Sequence, residues 1–266
     1  MPSPSDPIAF SAGPFDILWY AIFILTGILA GIQVAVWMAR RRGQSDTFLI
    51  DSAPAVIFAA VVGARLYYVA LEWRYFRGNP DEIVGLKLRG LTIHGALVGG
   101  IICFWWLCRA KGQPFLQWAD TIIVGVPIGQ ALGRWGNWAN QEAFGRPTNL
   151  PWGVAIDPER RPQQYVASEN FHPTFLYESI CSLAIAAGLA WLVLRFGRQA
   201  WWRDGYALCA YLILYGLVRW AVESLRTDSL RIGPWPAAYW LSLSLILAGF
   251  ILAAIQSRGA YRDNQL

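Results

Sequence analysis

Gly125 to Gly145 reads GVPIGQALGRWGNWANQEAFG, and the reading of this stretch decides how the rest of the chain is understood. It opens as an apolar helix and turns polar without leaving the helical period. Arg134, Asn137 and Gln141 recur at spacings of three and four, which places them on one helix face. Gly125, Gly129 and Gly133 repeat every four residues, the small-residue spacing that admits a second helix backbone. Pro127 lacks an amide N–H and is expected to bend the segment. Asn140 and Glu142 follow just past the expected helix end. Burying an arginine between apolar turns is too costly to serve packing alone.

Working outward, 56% of the 266 residues are hydrophobic and 15% charged, with fifteen tryptophans and a mean hydropathy of +0.36. That excludes an ordinary soluble domain and indicates an integral membrane protein. Seven apolar stretches are each about long enough to cross a bilayer core. They run approximately from Phe15 to Met38, Ala53 to Glu72, Thr92 to Cys108, Trp118 to Trp135, Thr174 to Arg195, Tyr206 to Ser224 and Trp235 to Ile255. The expected fold is an all-α bundle of about seven transmembrane helices with an exterior cap or arm. Residues 1–266 read as a single transmembrane domain, with 74–91 and 144–171 as exterior connections. No linker, low-complexity tract or internal repeat interrupts it.

Basic residues in short connections set the orientation. Arg40, Arg41, Arg42, Arg109, Lys111, Arg195, Arg198, Arg203, Arg258 and Arg262 all fall on one side, which the positive-inside tendency makes cytoplasmic. The N-terminus is then outside and the C-terminus cytoplasmic. Met1 to Phe15 has no positive n-region, so no cleavable signal peptide is expected. Cys103, Cys108, Cys181 and Cys209 fall inside spans without metal spacing and read as packing residues.

Other polar residues stand where apolar ones are expected. Tyr20 reads either as an interfacial aromatic or as part of a site. Arg65, followed by Tyr67 and Tyr68, is expected to face the bundle interior, either for structure or for function. His94, one of only two histidines, opens the third span. Tyr177 and Glu178 lie in the first turns of the fifth. Tyr215, Arg219, Glu223 and Arg226 form a ladder on one face of the sixth, with an Arg219–Glu223 ion pair as its plain explanation. Asp120 reads as structural. Topology brings His94, Arg134, Asn137, Glu178, Arg219 and Glu223 to the outer end of their spans, with Arg65 somewhat deeper. Arginine forks suit a phosphodiester, and the phosphate at that depth is a phospholipid headgroup. The residues alone thus point to a phospholipid-handling site open to the outer leaflet, and name no reaction.

These residues resemble the prolipoprotein diacylglyceryl transferase family. The signature G-R-x-G-N-x-x-N-x-E-x-x-G is present as Gly133, Arg134, Gly136, Asn137, Asn140, Glu142 and Gly145. IHG at Ile93 to Gly95, HPTFLYE at His172 to Glu178 and YGLVRWAVESLR at Tyr215 to Arg226 are similar to further family motifs. Ala96 and Trp138 depart from the common residues, which touches local packing rather than chemistry. The resemblance implies a bacterial inner-membrane enzyme that moves the diacylglyceryl group of phosphatidylglycerol to the lipobox cysteine of a preprolipoprotein, with glycerol 1-phosphate leaving. It implies neither cofactor nor metal, and no nucleic-acid partner. On this reading Arg134 and Arg219 hold the phosphate, and Asn137, Asn140 and Glu142 orient the glycerol. His94 is the candidate base. Tyr20, Arg65, Tyr68, Gly145, Tyr215 and Glu223 complete the substrate-binding set. The rival reading is a lipid or small-anion transporter, which wants polar residues along the whole crossing and symmetric halves. An intramembrane protease lacks a convincing nucleophile, and a bare scaffold leaves the buried arginines unexplained.

Overall fold

In a computed structural model the chain runs β1 (Ile8–Ala12), β2 (Phe15–Leu18), α1 (Trp19–Arg42), α2 (Asp46–Leu71), a short α3 (Trp73–Phe76), α4 (Ile93–Ala110), α5 (Phe115–Ile122) and α6 (Val126–Ala139). It continues through β3 (Val154–Ala155), β4 (Asn170–Phe171), α7 (Thr174–Phe196), α8 (Tyr206–Glu223), β5 (Arg231–Ile232), β6 (Trp235–Pro236) and α9 (Ala237–Asp263). The structure describes all residues except 3, 5, 14, 84–89 and 264–266, and the side chains of 12, 15 and 259–263 are likewise outside the description. Lys87, Arg89 and the Arg262 side chain are among those left out. Among the described residues, six helices are long and apolar enough to cross a membrane: α1, α2, α4, α7, α8 and the Ala237–Arg258 part of α9.

The expected fourth span, Trp118 to Trp135, is instead the two shorter helices α5 and α6. Pro127 has no N–H to donate to the Ile123 carbonyl, so it cannot continue α5. It sits within the first two positions of α6, where no such bond is needed. The first helix also begins later than hydropathy suggests. Phe15–Leu18 pairs antiparallel with Ile8–Ala12, the Ser11 hydroxyl donates to Asp16 at 2.6 Å, and the helix starts at Trp19.

The chain divides into two compact units, Met1–Arg42 with Ala119–Leu266, and Gly43–Trp118. In the first unit α1 packs on α6, α6 on α7, α7 on α8, and α8 on α9. Two glycine pairs set the α1–α6 approach. A Cβ on Gly125 would lie 2.1 Å from the Gly31 carbonyl oxygen, and one on Gly27 would lie 2.8 Å from that of Gly129. Lipid tails are as apolar as leucine, so close backbone packing replaces the hydrophobic drive between such helices. Met38, Val124, Leu189, Ala207 and Tyr211 fill the core. The start of α8 is capped from a distance: buried Asp120 accepts the N–H groups of Gly205 at 2.9 Å and Leu208 at 3.0 Å.

Residues 144–171, expected as an irregular cap, are ordered around a small core of their own. Phe144, Val154, Ile156 and Phe171 pack with Phe175, and Trp135 and Trp138 lie against them. Trp138, one of the two departures from the family pattern, meets the rings of Trp135 at 5.8 Å and Phe175 at 6.4 Å, so its extra bulk is used in packing.

In the second unit α2 packs on α4. A Cβ on Gly63 would stand 2.4 Å from the Gly95 carbonyl oxygen, and one on Gly99 2.4 Å from that of Ala59. All four cysteines are free, and Cys108 and Cys209 are buried.

Candidate active site

Within the first unit, the C-terminal end of α6, the start of α7 and the end of α8 bring an ion network together. The Arg134 Nη2 lies 2.5 Å from Glu178 Oε2, and Arg219 Nη1 lies 3.7 Å from Glu178 Oε1. Arg219 Nη2 reaches Glu223 Oε2 at 2.6 Å, the intrahelical pair that four-residue spacing foresees. Arg226 stands 3.9 Å from the same carboxylate and donates two bonds to Asp228, at 3.0 and 2.9 Å. Burial works against the Arg226 cation, but the bonds and charge of Asp228, backed by Glu178 and Glu223, raise its pKa overall. The two central carboxylates are nearly sealed, with side chains 3% exposed at Glu178 and 2% at Glu223. Buried carboxylates stay charged only when cations and donors surround them. Arg219 Nη1 has no hydrogen-bond acceptor among the described residues, and its 3.7 Å approach to Glu178 is an ion pair without a hydrogen bond.

A second chain of bonds continues from Arg134 toward the loop after α6. Its Nη1 donates to Asn137 Oδ1 at 3.4 Å, Asn137 Nδ2 donates to Glu142 Oε1 at 2.9 Å, and Asn140 Nδ2 donates to the same oxygen at 3.2 Å. Tyr20, at the start of α1, lies against Gly136, where a Cβ would stand 2.6 Å from the ring. Tyr215 stacks on Tyr211 with centroids 5.6 Å apart. Gly145 is buried: its N–H bonds the His172 carbonyl at 2.8 Å, and a Cβ there would meet His172 Cβ at 2.7 Å. The structure thus brings Tyr20, Arg134, Asn137, Asn140, Glu142, Gly145, Tyr215, Arg219 and Glu223 into one unit.

Arg65, Tyr68 and His94 belong to the second unit. Arg65 is expected to face the bundle interior, but it reaches along α2 to the turn that follows α3. Its Nε and Nη2 donate to the carbonyls of Ile83 at 3.1 Å and Glu82 at 2.5 Å, and its guanidinium lies over the rings of Tyr68 and Phe76. Its long side chain carries the charge to polar partners beyond the apolar part of the helix. His94 sits in the first turn of α4, is exposed, and lies beside Tyr67 with ring centroids 6.1 Å apart.

Glu178, which the sequence places at the level of the arginines without a role toward substrate, lies between the two of them. A carboxylate in the first turns of an apolar helix was the available signal. Gln141 is expected on the face of Arg134 and Asn137, but α6 ends at Ala139 and Gln141 adopts φ +51°, and its side chain bonds Asp157 in the 144–171 segment.

Residues 7–255 match the family model described as prolipoprotein diacylglyceryl transferase. The chain belongs to this family. Relatives named phosphatidylglycerol–prolipoprotein diacylglyceryl transferase include that of Synechococcus elongatus, 41% identical over 92% of this chain and 85% of the relative. Those of Finegoldia magna (39%, covering 93% of this chain and 94% of the relative) and Clostridioides difficile (38%, covering 92% and 93%) match at similar length. As a diacylglyceryl transferase family member with bacterial relatives and six helices of spanning length, the protein is a multi-pass bacterial membrane protein.

Proposed function

We propose that this chain transfers the diacylglyceryl group of phosphatidylglycerol to the lipobox cysteine of a preprolipoprotein. The cysteine sulfur forms a thioether to the terminal glycerol carbon of the diacylglyceryl group. The bond from that carbon to the phosphate oxygen breaks, and glycerol 1-phosphate leaves with the electron pair. The nucleophile comes from the peptide, which accounts for a site rich in cations rather than in nucleophiles. A cysteine thiol has a pKa of about 8.5 and must lose its proton to attack.

The observation that carries the reading is the meeting of Arg134 and Arg219, from different helices, at one buried carboxylate. Paired guanidiniums in a site of low dielectric stabilise the charge that grows on a departing phosphate. In this scheme Arg134 and Arg219 take the phosphate, and Asn137, Asn140 and Glu142 orient the glycerol headgroup. Tyr20, Tyr215, Gly145 and Glu223 shape the same site. The family resemblance adds Arg65, Tyr68 and His94 to the residues of the reaction, with His94 as the base. The chain acts as one catalytic domain in the bacterial inner membrane, N-terminus outside and C-terminus cytoplasmic. The relatives' names favour this transferase over the transporter reading.

The test is mass spectrometry of a lipobox peptide incubated with the purified protein in phosphatidylglycerol liposomes. A diacylglyceryl mass gain on the cysteine, absent with phosphatidylethanolamine alone, is the expected result. Folded protein that binds peptide and lipid without producing that gain overturns the proposal.

A further inference from the structure

Gln141 occupies a position that the signature leaves open, yet it is 4% exposed and every polar atom of its side chain is used. Its Nε2 donates to Asp157 Oδ2 at 2.7 Å and to the Pro4 carbonyl at 3.2 Å, and its Oε1 accepts the Asp157 N–H at 2.8 Å. The amide has only one sensible orientation here, because a carboxylate accepts and a backbone N–H donates. Its backbone lies in the left-handed region at φ +51°, with Ala143 at +58°, conformations that non-glycine residues hold only when surrounding bonds enforce them. The exterior segment supplies a second tie, from the Arg160 guanidinium to the Asn140 carbonyl. The N-terminal segment is itself fastened to that exterior segment, with the Met1 ammonium on the Gly153 carbonyl at 2.6 Å and the Ala155 N–H on the Met1 carbonyl at 3.1 Å.

On either side of Gln141 stand Asn140 and Glu142, which face the other way. Asn137 and Asn140 both donate to Glu142 Oε1, while Glu142 Oε2 has no donor among the described residues. The left-handed turn at Gln141 sends its side chain to Asp157 and Pro4, while Asn140 and Glu142 bond each other on the site side.

We propose that Gln141 is a positioning residue for the headgroup side of the site: its clasp on Asp157 and Pro4 holds the turn that presents Asn140 and Glu142 to the hydroxyls of the donor lipid. This rests on the assignment of those two residues to the glycerol headgroup. Gln141 itself touches no substrate. Losing the clasp lets Asn140 and Glu142 drift, so recognition of the hydroxyls fails first. The arginines that take the phosphate stand on α6 and α8 and keep their own network.

The experiment compares two lipids that share the phosphodiester and differ in headgroup hydroxyls. Phosphatidylglycerol is assayed for kcat/KM with a lipobox peptide, and phosphatidylpropanol for its inhibition constant as competitor. In the wild type the propanol lipid is expected to bind more weakly than phosphatidylglycerol. In Gln141→Ala, kcat/KM for phosphatidylglycerol is expected to fall roughly 10- to 100-fold, the range for small misplacement of binding groups. The inhibition constant for the propanol lipid is expected to shift less than about threefold, since the phosphate contacts are kept. Gln141→Glu puts a second carboxylate against Asp157 and is expected to behave like Gln141→Ala. The double variant Gln141→Glu/Asp157→Asn exchanges donor and acceptor on the Asp157 side, leaves the Pro4 carbonyl without its donor, and is expected to recover part of the loss. If Gln141→Ala weakens both lipids equally, or the exchanged pair recovers nothing while folded, Gln141 is a structural tie and the proposal fails. If the wild type itself does not distinguish the two lipids, the headgroup role of Asn140 and Glu142 fails, a separate result that removes the basis of the proposal.

Discussion

Replacing Glu178 by alanine removes the one carboxylate that Arg134 and Arg219 share. Its side chain is 3% exposed, 2.5 Å from the Arg134 guanidinium and 3.7 Å from that of Arg219. Opposite charges about 4 Å apart at an effective dielectric near 20 attract by about 4 kcal/mol. Much of that offsets the desolvation of the ions, so the net worth of the network is small. Removing one member is different, because Arg134 then loses its carboxylate and Arg219 is left with Glu223 alone among the described residues. Such truncations cost about 3–5 kcal/mol. Arg134 is 24% exposed and regains some water, which places Glu178→Ala at the lower end, about 3 kcal/mol. Arg134→Ala relieves part of that cost when combined with it, so the pair is expected to show a coupling of about 2 kcal/mol, beyond the ~0.5 kcal/mol within which independent sites add. The assay is reversible unfolding in mixed micelles at rising SDS fraction, for wild type, both single variants and the double variant. Glu178→Gln serves as the isosteric control that removes charge and keeps shape. Additive losses, or a Glu178→Ala loss below about 1 kcal/mol, refute the account of Glu178 as the shared counterion.

Arg134→Ala and Arg219→Ala are each expected to lower transfer to a lipobox peptide by at least ~10²–10³-fold, the cost of deleting one donor to a developing oxyanion; normal turnover by either folded variant removes that arginine from the phosphate. For His94→Gln, loss of the base leaves the thiol to ionise by itself. Activity is then expected to recover in part as pH rises toward the thiol pKa of about 8.5, while a flat pH profile assigns His94 to positioning. Asp120→Ala strips the acceptor from two N–H groups at the start of α8 and is expected to cost about 1–3 kcal/mol in the same unfolding assay, with kcat per folded molecule unchanged. Gly125→Ala puts a methyl 2.1 Å from the Gly31 carbonyl oxygen, so α1 and α6 must part; a loss of about 1–3 kcal/mol is expected, and an unchanged midpoint shows that the helices already have room.

Several features were legible without coordinates because they are local or additive. Hydropathy summed over about 20 residues picked out seven stretches, six of which are helices of spanning length. The four-residue spacing of Gly125 and Gly129 announced a close helix partner, and the two meet Gly31 and Gly27 of α1. The hairpin of Ile8–Ala12 with Phe15–Leu18 was not legible: Phe15, Ile17 and Leu18 continue the apolar run into α1, and four or five residues are too few to establish alternation. The break between α5 and α6 was half legible, since Pro127 signalled a bend but also suits a new first turn.

The sequence by itself determined the membrane class, the family signature and which residues carry charge, because composition and motif spacing are properties of the chain. Which groups meet was decided by the tertiary structure. Periodicity tells which face of a helix a residue occupies but not which helix lies opposite, so Glu178 between Arg134 and Arg219 follows only from the packing of α6, α7 and α8. The same limit hid the capping of α8 by Asp120, a contact between residues 85 positions apart. At Gln141 even the face was misread, because helical period holds only while the backbone is helical, and one left-handed residue past Ala139 turns the side chain toward Asp157.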